Sequence, residues 1–169
     1  MKGQSNEFYL RQLIRLCFKR KTSEPRQTTA SLVNEIKRII ETDHLFDILL
    51  EEIFWLKENS ANLKGTKENG YPWSWLSPVF EKHAKENHAE QIAKMLLWPE
   101  IYDSDQEVRT DFFGLIGEIG NRRIVPILEK LEERMGLIND ETIPFEDLQE
   151  MREQSRQMIR GATAVCYNR

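Results

Sequence analysis

The fold is decided by residues 105–131, which read DQEVRTDFFGLIGEIGNRRIVPILEKL. Apolar side chains recur there at spacings of three and four in two runs, one on each side of Gly120-Asn121, and this spacing is typical of a buried helix face. Asp105 precedes the first run, where a carboxylate can accept from the free N–H groups of the first turn. The pattern predicts two short helices joined by a tight turn, with the other helices of the chain stacked against them.

The glycine and proline residues of this stretch lead to further predictions. Gly114 and Gly117 lie inside the first helix, where each glycine destabilises by about 1 kcal/mol relative to alanine. We therefore expect a neighbouring backbone to approach them too closely for a Cβ. Gly120 is expected to end the helix in the left-handed conformation. Pro126 falls in the first turn of the second helix, where a missing N–H does least harm.

The same stretch resembles a HEAT-like repeat of the short bacterial type, which is also found in phycobilisome lyase-like proteins; the clearest repeat covers residues 104–135. The matching positions are Asp105, Glu107, Val108, Arg109, Gly117, Gly120, Asn121, Val125, Pro126, Leu128 and Leu131. In that family the arginine contacts the acidic cap or turn of the neighbouring repeat, so the resemblance implies that Arg109 is a structural residue. Phe112 and Phe113 stand where the family usually has alanines, which implies a wider spacing between repeats or one ring on the surface.

The last helical pattern of the chain contains a second copy of part of this motif. The segment MIRGATA at residues 158–164 echoes EVRTDFF at residues 107–113. We interpret it as the first half of another repeat, so that the final helix would cap the stack.

Helical periodicity extends through the chain, whose 169 residues are 40% hydrophobic and 31% charged. This length and composition are those of one globular domain. We predict an all-α fold over residues 1–169, a short α-solenoid in which antiparallel helix pairs form a right-handed superhelical stack. Eight helices are expected. They lie at residues 6–20, 28–42, 44–58, from 74 or 77 to 86, at 89–98, twice within 105–131, and at 146–167.

One long irregular segment, residues 59–73, interrupts this pattern and ends in Tyr71-Pro72-Trp73. Connections of this length are often functional or disordered. We expect residues 59–69 to be mobile and the two aromatic rings to be fixed against the fourth helix. The alternative is that the rings form an exposed platform for a partner.

Charge is distributed unevenly along the chain. Residues 1–40 carry a net charge of +6 and residues 41–169 a net charge of −10. Six of the nine basic side chains of the first segment form a predicted basic stripe, which consists of Arg11, Arg15, Lys19, Arg20, Lys21 and Arg26. They could contact a phosphate backbone, although an ordinary charged face is favoured, since the acidic remainder would repel nucleic acid.

The sequence contains no apolar run near the roughly 18 residues of a membrane span and no signal-peptide pattern at its start. Cys17 and Cys166 lie in helical patterns at opposite ends of the chain. We therefore expect a cytoplasmic protein with reduced thiols.

His83, Glu86 and Glu90 would share one helix face if the helix continued between them, and such a set could ligate a metal. Iron-binding HEAT-like hydroxylases use His-Glu dipeptides, and the sequence has none. A solvated polar face is therefore favoured. No nucleophile elbow, zinc-type cysteine spacing or dinucleotide fingerprint is present, and no cofactor is expected.

We expect a non-enzymatic adaptor or regulator that binds another protein, with a homodimer as the other option. The expected exposed contact residues are Tyr71, Trp73, Arg109, Arg122 and Arg123. One alternative, permitted by the resemblance, is a bilin lyase-type or lyase-associated protein. A second alternative is nucleic-acid binding through the basic first helix.

Overall fold

The protein is described here by a computed structural model that covers residues 2–19, 26–59, 63, 72–102, 106–135 and 144–169. In these ranges 91% of residues are helical and no strand occurs, which confirms the all-α prediction. The nine α-helices of the described residues are α1 Lys2–Lys19, α2 Arg26–Asp43, α3 Phe46–Asn59, α4 Pro72–His83, α5 Ala89–Leu96, α6 Pro99–Tyr102, α7 Gln106–Ile119, α8 Val125–Met135 and α9 Phe145–Tyr167. Short 3-10 turns, Glu86–His88 and Arg122–Ile124, precede α5 and α8.

Helix starts differ from the predictions at proline and at one turn. The helix predicted at residues 89–98 ends at Leu96, and Pro99 begins the additional helix α6. Pro72 begins α4, because proline is well tolerated in a first helical turn. The third helix, predicted to begin at residue 44, begins at Phe46. Asp43 ends α2, and the chain reverses at His44, whose φ of 55° is left-handed.

The chain forms two compact units, Met1–His83 and Ala84–Arg169. Each unit has its own buried apolar residues, such as Ile14 and Leu49 in the first and Ile116 and Leu128 in the second. The prediction of one domain over residues 1–169 stays a prediction.

In the first unit α1 packs against both α2 and α3, and α2 packs against α4. Asn6, near the start of α1, donates to Asp43 at the end of α2 over 2.8 Å, so these two helices are antiparallel. The far end of α1 meets the start of α4, where the ring centroids of Phe18 and Trp73 lie 5.1 Å apart.

By contrast, α1 and α3 run parallel. Arg11 forms an ion pair with Glu51 at 2.7 Å. One turn later Arg15 lies over the ring of Trp55, 4.3 Å from its centroid. Because residue numbers increase in the same direction along both helices, α1 and α3 are parallel.

The second unit also contains both parallel and antiparallel helix pairs. α7 and α9 run parallel, since Thr110 contacts Met158 (Oγ1 to Sδ, 3.8 Å) and, further along both helices, Gly117 faces Ala162. α8 and α9 run antiparallel, since Arg122 stacks over Tyr167 at the end of α9, 4.7 Å from the ring centroid. Near the other end of α8, the Glu132–Arg160 ion pair of 2.7 Å joins it to an earlier point of α9.

α5 and α8 form the other parallel pair of this unit. At their starts the Asn121 amide donates to Glu86 over 3.0 Å. At their ends Arg134 donates to the carbonyl oxygen of Leu97 over 2.6 Å. The described helices therefore pack as adjacent pairs, and a right-handed solenoid stays a prediction.

The glycines of α7 behave differently from the prediction. A Cβ on Gly114 would meet nothing within 4 Å, and one on Gly117 would lie 4.0 Å from the Cα of Ala162, an ordinary contact. The expected backbone approach at these two positions is therefore wrong. Gly120 is not left-handed, and a Cβ there would lie 2.5 Å from the Sγ of Cys166. The close approach falls on Gly120, in the turn.

The rest of the turn follows local hydrogen-bonding rules. The Asn121 side chain accepts from the backbone N–H of Arg123 at 3.0 Å and so caps the 3-10 turn. Pro126 follows as the second residue of α8 and is exposed. Phe112 and Phe113 are both buried, so the suggestion of a ring on the surface is wrong.

Candidate functional site

The aromatic end of the irregular segment is not a surface platform at Trp73. Its side chain is 0% exposed and packs against Phe18, because so large an apolar ring is stabilised by burial. The expectation that Trp73 is an exposed contact residue is therefore wrong. Tyr71 and the expected mobile stretch 59–69 lie outside the described residues, apart from Asn59, which ends α3, and Leu63, which is buried.

Arg109 is also buried, with 7% of its surface exposed. The expectation of an exposed contact there is wrong, because the side chain is enclosed by its own unit. The structural role that the HEAT-like resemblance implies stays a prediction, and Asp105 lies outside the described residues.

Arg122 and Arg123 are exposed, as expected, in the turn before α8. Arg122 is occupied by its stacking on Tyr167. Arg123 lines a cleft of about 450 Å³ together with Lys85 and Glu90. The hydrogen bond from Lys94 holds the pKa of Glu90 below its ordinary value, and Arg123 adds to this. The cleft mixes both signs of charge and selects no ligand by charge.

A second concave surface lies between the parallel helices α7 and α9, and we name it the α7–α9 groove. Its volume is about 380 Å³, and its lining is almost entirely apolar. The lining residues are Thr110, Phe113, Gly114, Gly117, Met158, Gly161, Ala162 and Val165.

Two glycines keep the α7–α9 groove open. Gly114 on α7 and Gly161 on α9 are both exposed, and a Cβ on either would meet nothing within 4 Å. Val165 on the same wall is 43% exposed. The packing of the unit therefore does not require glycine at these positions; their effect is to leave a slot that a side chain would fill.

The groove runs along both helices. The lining extends from Thr110 to Gly117 on one wall and from Met158 to Val165 on the other. Seven residues of α-helix rise about 10 Å, so each wall is two helical turns long. A slot of this shape fits the ridge of another helix, which packs by inserting side chains between those of its neighbours.

Two arginines of the basic first helix form ion pairs within the first unit. Arg11 reaches Glu52 at 3.1 Å and Glu51 at 2.7 Å, and Arg15 also bonds to Glu52, which is 0% exposed. The hydrogen bond to Glu51 raises the pKa of Arg11 above its ordinary value. These two arginines are neutralised within the unit. The other side chains of the predicted basic stripe lie outside the described residues.

The helix that would place His83 and Glu86 on one face is interrupted. α4 ends at His83, and Glu86 belongs to a separate 3-10 turn, so the two do not share one helix face. The Nδ1 atom of His88 accepts from the backbone N–H of Lys85 at 2.9 Å, which caps that turn. Within the described ranges no three His, Cys, Asp or Glu side chains are placed to hold a metal ion.

None of the helices in the described ranges is long and apolar enough to cross a membrane. Comparisons with protein-family models, curated proteins and solved structures find no match to this chain.

Sequence reasoning missed the α7–α9 groove. It assigned Gly114 to internal packing and did not single out Gly161. The similarity of residues 158–164 to residues 107–113 could have indicated the groove, because it relates two helices that each contain glycine. Their parallel packing is what brings those glycines to one surface.

Proposed function

We propose that this protein is a non-enzymatic adaptor that binds another protein in the α7–α9 groove. The observation that carries the proposal is an apolar slot held open by Gly114 and Gly161, neither of which is needed for packing inside the unit. Apolar concave surfaces of this kind serve as docking sites for amphipathic segments.

The energetics favour a binding role. Glycine inside a helix costs about 1 kcal/mol relative to alanine, so the two positions weaken α7 and α9 with no gain in internal contacts. Contact with a partner would offset this, because a side chain at either position would block the slot.

The chemistry of the lining favours binding over catalysis. Thr110 supplies the polar side chain of the lining, and no titratable group is among the lining residues. General acid–base catalysis needs such a group within hydrogen-bond reach of the reacting atoms.

The packing of helices also supports a HEAT-like adaptor. In such folds each helix pair contacts its neighbours and leaves a continuous face free for partners. Parallel neighbours α7 and α9, with α8 antiparallel to α9, fit that arrangement. The lyase-type and nucleic-acid alternatives stay predictions, and no contact among the described residues favours them.

The test is to fill the groove without unfolding the protein. The double variant Gly114→Leu, Gly161→Leu places two good helix formers in open space, and Gln149→Leu, exposed on α9 outside the lining, is the control. Immobilised wild type and both variants are compared for proteins captured from the source cells. We expect at least one protein to be retained by the wild type and the control and lost with the double variant. A capture pattern unaffected by filling the groove would contradict the proposal.

A further inference from the structure

The α7 rim of the α7–α9 groove is acidic. On α7, Glu107, Asp111 and Glu118 lie in one row with Gly114, at successive spacings of four, three and four residues, which places them along the same edge of the helix. Glu107 and Glu118 are exposed, and neither forms an ion pair with any residue in the described ranges.

The opposite rim, on α9, is polar and carries a further carboxylate. Glu150, Gln154 and Gln157 form a row with Gly161 at spacings of four, three and four, and the Gln154 amide donates to Glu150 at 3.0 Å. Neither row contains a lysine or arginine. Near one end of the groove, Arg169 donates to the main-chain oxygen of Glu118.

We infer that the occupant of the groove is an amphipathic helix whose narrow apolar ridge is flanked by lysine or arginine side chains. This inference rests on the proposed function and adds the chemistry of the partner. The apolar floor, two helical turns long, requires a ridge of apolar side chains. The acidic edge beside Gly114 requires cations on at least one flank of that ridge.

Charge complementarity distinguishes between helices with acidic, uncharged and basic flanks as occupants of the groove. An apolar helix with acidic flanks would bring its carboxylates toward Glu107 and Glu118, and like charges at an interface are unfavourable. An uncharged apolar helix would leave these carboxylates partly desolvated and without partners. A basic helix gains attraction along the rim, together with burial of its ridge on Phe113, Met158 and Val165.

The probe is a fluorescein-labelled synthetic peptide of about 18 residues, since isolated helices shorter than about 12–15 residues are marginal in water. It carries leucine and alanine on one face and lysine on both flanks. A second peptide has glutamate in place of every lysine, and a third has serine there. Binding to the intact protein is followed by fluorescence anisotropy at low and high salt.

We expect the lysine-flanked peptide to bind tightest and to weaken as salt rises, because exposed charges are screened. Glu107→Lys with Glu118→Lys should weaken its binding about ten-fold or more. The matched control is Glu129→Lys with Glu133→Lys, two exposed positions on α8 that change the net charge equally and should change binding less than two-fold. Filling the groove with Gly114→Leu, Gly161→Leu should abolish binding.

Other outcomes separate this inference from the proposed function. If the serine or glutamate peptide binds as well as the lysine peptide and groove filling abolishes it, the groove binds helices but the basic flanks are wrong. If no peptide binds while groove-dependent protein capture persists, the helical occupant is wrong and the adaptor proposal stands. If the wild type sediments as a dimer that groove filling dissociates, the occupant is a second copy of the chain, which overturns the inference.

Discussion

Replacing Gly120 by alanine should destabilise the second unit, and the structure gives the size of the effect. The new Cβ would lie 2.5 Å from the Sγ of Cys166 and 2.5 Å from the carbonyl oxygen of Ile116, with the Cδ1 atom of Ile124 at 2.7 Å. A Cβ atom in a folded protein does not lie this close to nonbonded atoms, so the neighbours must move.

Two of these neighbours are held in place. The oxygen of Ile116 belongs to the last turns of α7 and accepts the backbone N–H of Gly120 at 2.8 Å. The thiol of Cys166 is buried and donates to the same oxygen, with the sulfur 3.6 Å away. Burial also raises the pKa of this thiol, which keeps it protonated as a donor. The side-chain end of Ile124 can rotate away, but the other two contacts cannot be relieved so simply.

Overpacking of a buried site costs about 1–3 kcal/mol. For a protein whose unfolding free energy falls by about 2 kcal/mol per molar urea, a loss of about 2 kcal/mol lowers the urea midpoint by about 1 M. The assay is urea unfolding followed by circular dichroism at 222 nm.

The matched control is Gly114→Ala on the same chain segment. A Cβ at Gly114 meets nothing, and alanine stabilises a helix interior by about 0.5–1 kcal/mol relative to glycine. The two alanine variants should therefore shift the midpoint in opposite directions. A Gly120→Ala midpoint equal to or above that of the wild type would refute the packing of α9 against this turn.

Further predictions concern buried and paired charges. Glu52→Gln should lower stability by about 1–3 kcal/mol in thermal unfolding, because it weakens the pairing of a buried carboxylate with two arginines. The control, Glu51→Gln, changes an exposed partner and should cost less than about 1 kcal/mol. Equal effects of the two substitutions would contradict the burial of Glu52. Arg109→Ala should cost about 1–3 kcal/mol in urea unfolding, since the interactions of this buried side chain with its surroundings are lost. An unchanged midpoint would exclude the structural role. Glu90 should titrate by NMR below its ordinary pKa of 4.5, because its pairing with Lys94 favours the ionised form. Since the folded pKa is lowered, the stabilisation is present above pH 4.5 and is lost as the pH falls through the folded pKa; a titration left unchanged by Lys94→Gln would contradict the pairing.

Local patterns in the sequence were sufficient to predict most helices. The apolar spacing around Ile116 and Leu128 placed α7 and α8, and their burial follows from that spacing. Helix ends were less predictable, because they depend on single residues. His44 takes the left-handed conformation and Pro99 begins a helix, and the same residues are compatible with other roles.

Long-range contacts account for the remaining differences. Arg11 and Arg15 look like part of a free basic stripe until α3 brings Glu52 beside them. The sequence shows that Gly114 weakens a helix. The open slot beside Gly114, however, also depends on Gly161 of α9, which lies 47 positions later. Sequence spacing does not report which helix becomes the neighbour, so the groove is seen only after packing.

The most direct test of the α7–α9 groove is a titration of the ¹⁵N-labelled protein with the lysine-flanked peptide, followed by backbone amide shifts. The account predicts that the largest changes fall on the two walls, between Thr110 and Gly117 and between Met158 and Val165. Changes confined to the cleft beside Lys85 and Arg123, or no changes on either wall at saturating peptide, would contradict it.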